Sequence, residues 1–107
     1  MASSESYLEY ILDCLSACED ITYRAMMGEY IIYAGGKVIG GIYDDRFLIK
    51  PTPSARALMP DAPEELPYEG ARPMLMCENT DDREFLKELI ESVRRELPAP
   101  KKRKKAQ

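Results

Sequence analysis

The stretch Tyr23-Arg24-Ala25-Met26-Met27-Gly28-Glu29-Tyr30-Ile31-Ile32-Tyr33-Ala34-Gly35-Gly36-Lys37-Val38-Ile39-Gly40-Gly41-Ile42-Tyr43-Asp44-Asp45-Arg46-Phe47-Leu48-Ile49-Lys50 decides the fold. Runs rich in Ile, Tyr and Val alternate with Gly28, Gly35-Gly36 and Asp44-Asp45, residue types that suit tight turns. Turns this short leave no room for a crossover, so consecutive strands must run antiparallel. Ile21 to Met26, Tyr30 to Tyr33, Lys37 to Tyr43 and Arg46 to Lys50 are therefore four strands of one meander. Gly40-Gly41, inside the third strand, predicts a bulge or a close backbone approach.

Helical periodicity flanks this sheet. Leu8, Ile11, Leu12, Leu15 and Cys18 recur at three- and four-residue intervals. They predict a helix capped by Ser4 or Ser6, with Ser6 and Glu9 at capping-box spacing, ending between Ala17 and Asp20. Phe85, Leu86, Leu89, Ile90, Val93 and Leu97 form a second stripe. Thr80 or Asp81 would cap that helix, acidic residues open it, Arg94 and Arg95 close it, and Pro98 stops it. Between sheet and last helix, Ser54 to Met59 predicts a short helix capped by Ser54, and Asp61 to Pro67 a loop. Tyr68-Glu69-Gly70-Ala71 predicts a turn, and Arg72 to Glu78 a final strand. The order is helix, meander, short helix, two strands, helix: an α+β layer in which one sheet face buries two helical stripes.

A chain of 107 residues fits one domain, expected over residues 1–98. Residues 99–107 hold Lys101, Lys102, Arg103, Lys104 and Lys105 and nothing apolar enough to bury, so a disordered tail is expected there. Those five account for a third of the fifteen basic residues; the other ten face nineteen acidic ones, so the body carries about −9 within a net charge of −4. An acidic body is a poor phosphate-binding surface, whereas the tail could contact nucleic acid electrostatically. No apolar run reaches the ~20 residues of a membrane helix, and the N-terminus lacks a secretory pattern. Three cysteines suggest no disulfide framework, and reduced thiols in a cytoplasm are the expectation.

Candidate chemistry fails on context. The glycines of Gly35 to Gly41 are followed by a strand, and a phosphate loop needs a helix there. Cys14, Cys18 and Cys77 offer three thiolates without a histidine to complete a zinc site, so they read as core residues. Asp44-Asp45 and Asp81-Asp82 suit a turn and a helix start. No cofactor, metal or catalytic residue is assigned, and a non-enzymatic protein is expected. What does stand out is apolarity on both faces of the second strand, with Ile31 and Tyr33 on one side and Tyr30, Ile32 and Ala34 on the other. A sheet wetted on one face alternates with polar residues. The second face thus expects a cover, either the Asp61 to Pro67 loop or a protein partner, a second copy included. Seven tyrosines fit such a surface.

Arg24-Ala25-Met26-Met27-Gly28-Glu29-Tyr30, the tyrosine-rich strand through Tyr33, the Gly35-Gly36 turn and Phe47-Leu48-Ile49-Lys50 together resemble the TfoX N-terminal domain family. Arg24, Met26, Gly28, Tyr30, Tyr33, Gly36 and Lys50 stand at the family's motif positions. Tyr68-Glu69-Gly70 matches its later turn, and the likeness spans about Tyr7 to Leu97. Met27 and Ile39 replace aromatics, and Glu29 replaces a glycine. The resemblance implies a fold similar to type III secretion chaperones and a link to regulation of competence genes, and it brings no catalytic residue with it. Three readings follow: a regulatory or protein-interaction module; a nucleic-acid-associated protein using Lys101 to Lys105; and a small-ligand binder using Arg24, Tyr33 and Lys50.

Overall fold

A computed structural model describes residues 3–97. The elements are α1 (Glu5–Cys14), β1 (Ile21–Met26), β2 (Glu29–Ala34), β3 (Lys37–Ile42), β4 (Phe47–Ile49), α2 (Pro53–Leu58), β5 (Glu64–Glu65), β6 (Met74–Met76) and α3 (Arg83–Glu96). The strands form one six-stranded antiparallel sheet in the order β1-β2-β3-β4-β6-β5. The expected α+β class and four-strand meander are what the chain adopts. The boundary at residue 98 and the basic tail lie outside the described residues.

Alternate strand residues explain where the core sits. Ile32, Ala34, Ile42, Phe47, Ile49 and Leu75 share one face and are buried with Leu8, Ile11, Cys14 and Leu15 of the N-terminal segment and Leu86, Leu89, Ile90 and Val93 of α3. Burying these apolar side chains is the main drive that holds both helices on the sheet. The β2–β3 register slips between Ile32 and Tyr33, so Val38 and Ile39 both lie across from Tyr33. The bulge lets Ile39 turn into the core beside Ile42. Gly40 is required at the next step: a Cβ there would collide with the carbonyl oxygen of Leu48 on β4.

Ser4, one of the two caps expected for α1, is the one used, whereas the other helix boundaries shift along the chain. Ser4 caps α1 by accepting the Tyr7 N–H at 3.2 Å, and Ser6–Glu9 forms no capping box. α1 ends at Cys14, short of the expected Ala17 to Asp20, because the chain turns at Leu15 to reach β1. Cys18 therefore lies off the helix that carries Cys14. Thr52, rather than Ser54, caps α2, with Pro53 in the first turn, where its missing N–H costs nothing. Ser54 instead donates its N–H and hydroxyl to Glu96 of α3. Asp82, rather than Thr80 or Asp81, caps α3 through the Phe85 N–H. β5 lies within the segment expected to be loop; two residues long, it exists only through its pairing with β6. At the far end of α3, the Lys37 ammonium donates to the carbonyls of Arg94 and Leu97, both at 3.0 Å. Cations are favoured there because the last carbonyls lack intrahelical partners.

Candidate functional site

Among the described residues, no helix lies on the second sheet face. Antiparallel partners point to the same side, so the register assigns it Thr22, Arg24 and Met26 of β1, Ile31 and Tyr33 of β2, Val38 and Gly41 of β3, Leu48 of β4, and Met74 and Met76 of β6. The face has two parts. Toward β4 it is closed: Leu48 is fully buried, although the helix-side core does not include it. Tyr43 folds back across Gly41, where a Cβ would come within 2.6 Å of its ring. The Tyr43 ring centroid lies 6.3 Å from that of Tyr68. Arg46 bonds the Glu65 carboxylate at 3.0 Å and the Leu66 carbonyl at 3.1 Å, which holds the segment before Tyr68 in place. Burial, then Tyr68, Glu29 and Tyr33, raise the Tyr43 hydroxyl pKa above its usual value. Toward β1 the face is open. Ile31, Tyr33 and Val38 are half-buried, and Met26 is half-exposed.

The seven motif residues divide between this face and its frame. Arg24, Met26 and Tyr33 lie on the open part, and Lys50 follows β4 on the same side by alternation. Arg24 is the diagonal neighbour of Tyr33, because Thr22 is Tyr33's direct partner. Lys50 is three strand spacings from Arg24 and two residues along from Leu48, which is level with it, about 16 Å in all. The topology thus spreads Arg24, Tyr33 and Lys50 over a surface and does not gather them round one small ligand. Tyr30 points to the helix side, where it meets Tyr23 edge-on at 6.0 Å. Gly28 and Gly36 sit in the two-residue turns that join β1 to β2 and β2 to β3.

The remaining candidates have structural tasks. The Glu29 carboxylate accepts from the Ser3 hydroxyl at 2.7 Å and the Asp44 N–H at 3.1 Å. It pins the N-terminal segment to the β3–β4 turn. Asp45 accepts the Ser4 N–H at 2.9 Å in the same corner. Cys14 and Cys77 are buried core thiols, and Cys18 packs against the core. Burial pushes the Cys77 thiol up to about 11, far from a reactive thiolate. Among the described residues, no three His, Cys, Asp or Glu side chains are placed to hold a metal ion, and no helix is long and apolar enough to cross a membrane. Lys101 to Lys105 lie outside the described residues. Sequence reasoning missed Tyr43 and Tyr68 as cover for the face; the spacing of Gly41 and Tyr43, two apart with Tyr43 just past the end of β3, is the signal that carried it.

Comparison with known proteins agrees with the motif. The chain is 30% identical over 105 residues to an uncharacterized 12.7 kDa protein in the trpE 5' region of Spirochaeta aurantia, covering 97% of this chain and 91% of that one. No solved structure matches. Residues 13–92, from the last turn of α1 to the last turn of α3, match the TfoX N-terminal domain. The chain therefore belongs to the TfoX N-terminal domain family.

Proposed function

We propose that the protein is a non-enzymatic regulatory module that binds a protein partner through the open, β1-side part of its helix-free sheet face, in the control of competence-gene transcription. The observation that carries this reading is the half-exposed row of Met26, Ile31, Tyr33 and Val38 on a face that no described helix covers. Such a surface, apolar at its centre and rimmed by Arg24 and Lys50, has the composition of a protein-binding patch. Spread across three strands, it suits a flat partner surface better than a small molecule. Affinity capture from the source organism compares wild type with Ile31→Glu/Tyr33→Glu. One protein should be retained by wild type, lost with the variant, and accompanied by a change in competence-gene transcripts when the variant replaces wild type. Identical capture by both chains would refute the proposal. Nucleic-acid contact through Lys101 to Lys105 is the second reading, favoured by the charge of that segment alone.

A further inference from the structure

The two edges of the sheet differ sharply. At one edge, β5 has only two residues, Glu64 and Glu65, between Pro63 and Pro67. Shortness, charge and proline are the usual defences of an edge against further pairing. At the other edge, β1 has six residues, Ile-Thr-Tyr-Arg-Ala-Met, with neither proline nor glycine nor lysine. All but Ile21 are exposed. The helix layer stops short of it: an open cleft of about 690 Å³, lined by Leu12, Leu15, Cys18, Ile21 and Tyr23 among others, separates α1 from the edge on the helix side.

The hairpin fixes which backbone groups face outward. Met26 and Glu29 flank a two-residue turn whose φ angles are 53° at Met27 and 85° at Gly28, a type I′ turn. In such a hairpin the flanking residues form a hydrogen-bonded pair, and every second pair after it does too. The Gly35 N–H donating to the Asp20 carbonyl at 3.0 Å continues that alternation past the strand's other end. Met26, Arg24 and Thr22 therefore spend their N–H and C=O groups on β2. Ile21, Tyr23 and Ala25 aim theirs at the outer edge, with which no described residue pairs.

We infer that β1 pairs antiparallel with β1 of a second copy of this chain, joining two six-stranded sheets into one. A two-fold axis through the edge keeps both helix layers on the same side only if residues of like parity face each other. With Tyr23 opposite the second copy's Tyr23, Ile21 faces Ala25, and all three outward residues of each strand enter hydrogen-bonded pairs, about six bonds in all. Thr22 then faces Arg24 on the open face, and the tyrosines meet beside the two clefts. Centring on Arg24 leaves about four bonds and sets like charges directly opposite each other, which is unfavourable. Centring on Thr22 also leaves about four, and it pushes Ala25 past the strand end, beyond Asp20, whose φ of 59° is not extended. The strand is thus self-complementary in one register.

This pairing leaves the partner-binding face free, so the two proposals fail separately: Ile31→Glu/Tyr33→Glu should leave the dimer intact. Sedimentation of the full chain should give twice the single-chain mass at micromolar concentration. Tyr23→Pro removes an outward N–H without touching the β2 ladder, so it should give a folded monomer by circular dichroism. A register test uses Thr22→Cys and Arg24→Cys, each with Cys18→Ala. These two positions form a non-hydrogen-bonded pair with Cα atoms about 4.5 Å apart, within disulfide reach. An oxidised mixture of the two variants should yield a linked dimer, and neither variant alone should do so. The proposal is overturned by a wild type that stays monomeric at millimolar concentration, by a native Tyr23→Pro dimer, or by linkage of either cysteine variant with itself in preference to the mixture. Should Tyr23→Pro fail to fold, the cysteine mixture decides.

Discussion

Single residues carry visible strain and visible protection. Met27 is 96% exposed and sits at φ 53° in the β1–β2 turn. A side chain in left-handed backbone costs about 1 kcal/mol, and nothing here repays it through burial. Met27→Gly should therefore raise stability by about 1 kcal/mol in urea denaturation, less whatever the freer unfolded chain returns. Cys77 gives a pH prediction. Its thiol is raised from an ordinary 9.0 to about 11 by burial. The unfolded chain thus releases this proton first as the pH climbs. The stabilisation is complete below pH 9 and is lost as pH rises toward 11, by about 2 kcal/mol. Urea midpoints at pH 8 and 10.5 should fall further for wild type than for Cys77→Val, which has no thiol to titrate.

At the scale of elements, legibility tracked how local each signal was. The turns at Gly28, Gly35-Gly36 and Asp44-Asp45 were plain because backbone conformation there is set by two or three adjacent residues; Asp44 and Asp45 accept φ angles of 54° and 55°. The helix stripes were plain for the same reason. The cap positions were less so, because Ser4 and Ser6, or Asp81 and Asp82, are interchangeable until the chain's path is known. β5 could not be seen, since Glu64 and Glu65 are strand only by virtue of Met74 and Leu75. Nor could the early end of α1, since Leu15 leaves the helix to serve tertiary packing. On the open face, both-sided apolarity announced a surface, but its division into a covered and an uncovered half depends on Tyr43 and Tyr68, far apart in sequence. The Gly40 position shows how tightly the meander is assembled. Gly40→Ala forces a methyl against the Leu48 carbonyl, a backbone atom that cannot rotate away. The expected cost is about 3 kcal/mol, with loss of β3–β4 amide protection in hydrogen exchange.

For the whole molecule, charge is segregated along the chain. An acidic body of about −9 is followed by the five basic residues at 101–105. Any nucleic-acid contact should come from that run alone and carry no sequence preference. In a mobility-shift assay at low salt, weak retardation of duplex DNA is expected. It should fade steeply with added salt and vanish when residues 101–107 are deleted; retardation by the truncated chain would place the contact on the body instead.

Ser3 is held at the Gly28 end of the sheet, its N–H donating to the Gly28 carbonyl, while Leu97 is held at the opposite end by Lys37. The two anchors are separated by the length of β2, about 20 Å. The molecule is therefore a short strut with a handle at each end. Fluorophores placed at the two anchors would report its unfolding as a loss of energy transfer. A reporter fused after Leu97 would hang from the end remote from the Met27 turn, so it could be as bulky as an experiment requires without crowding that turn.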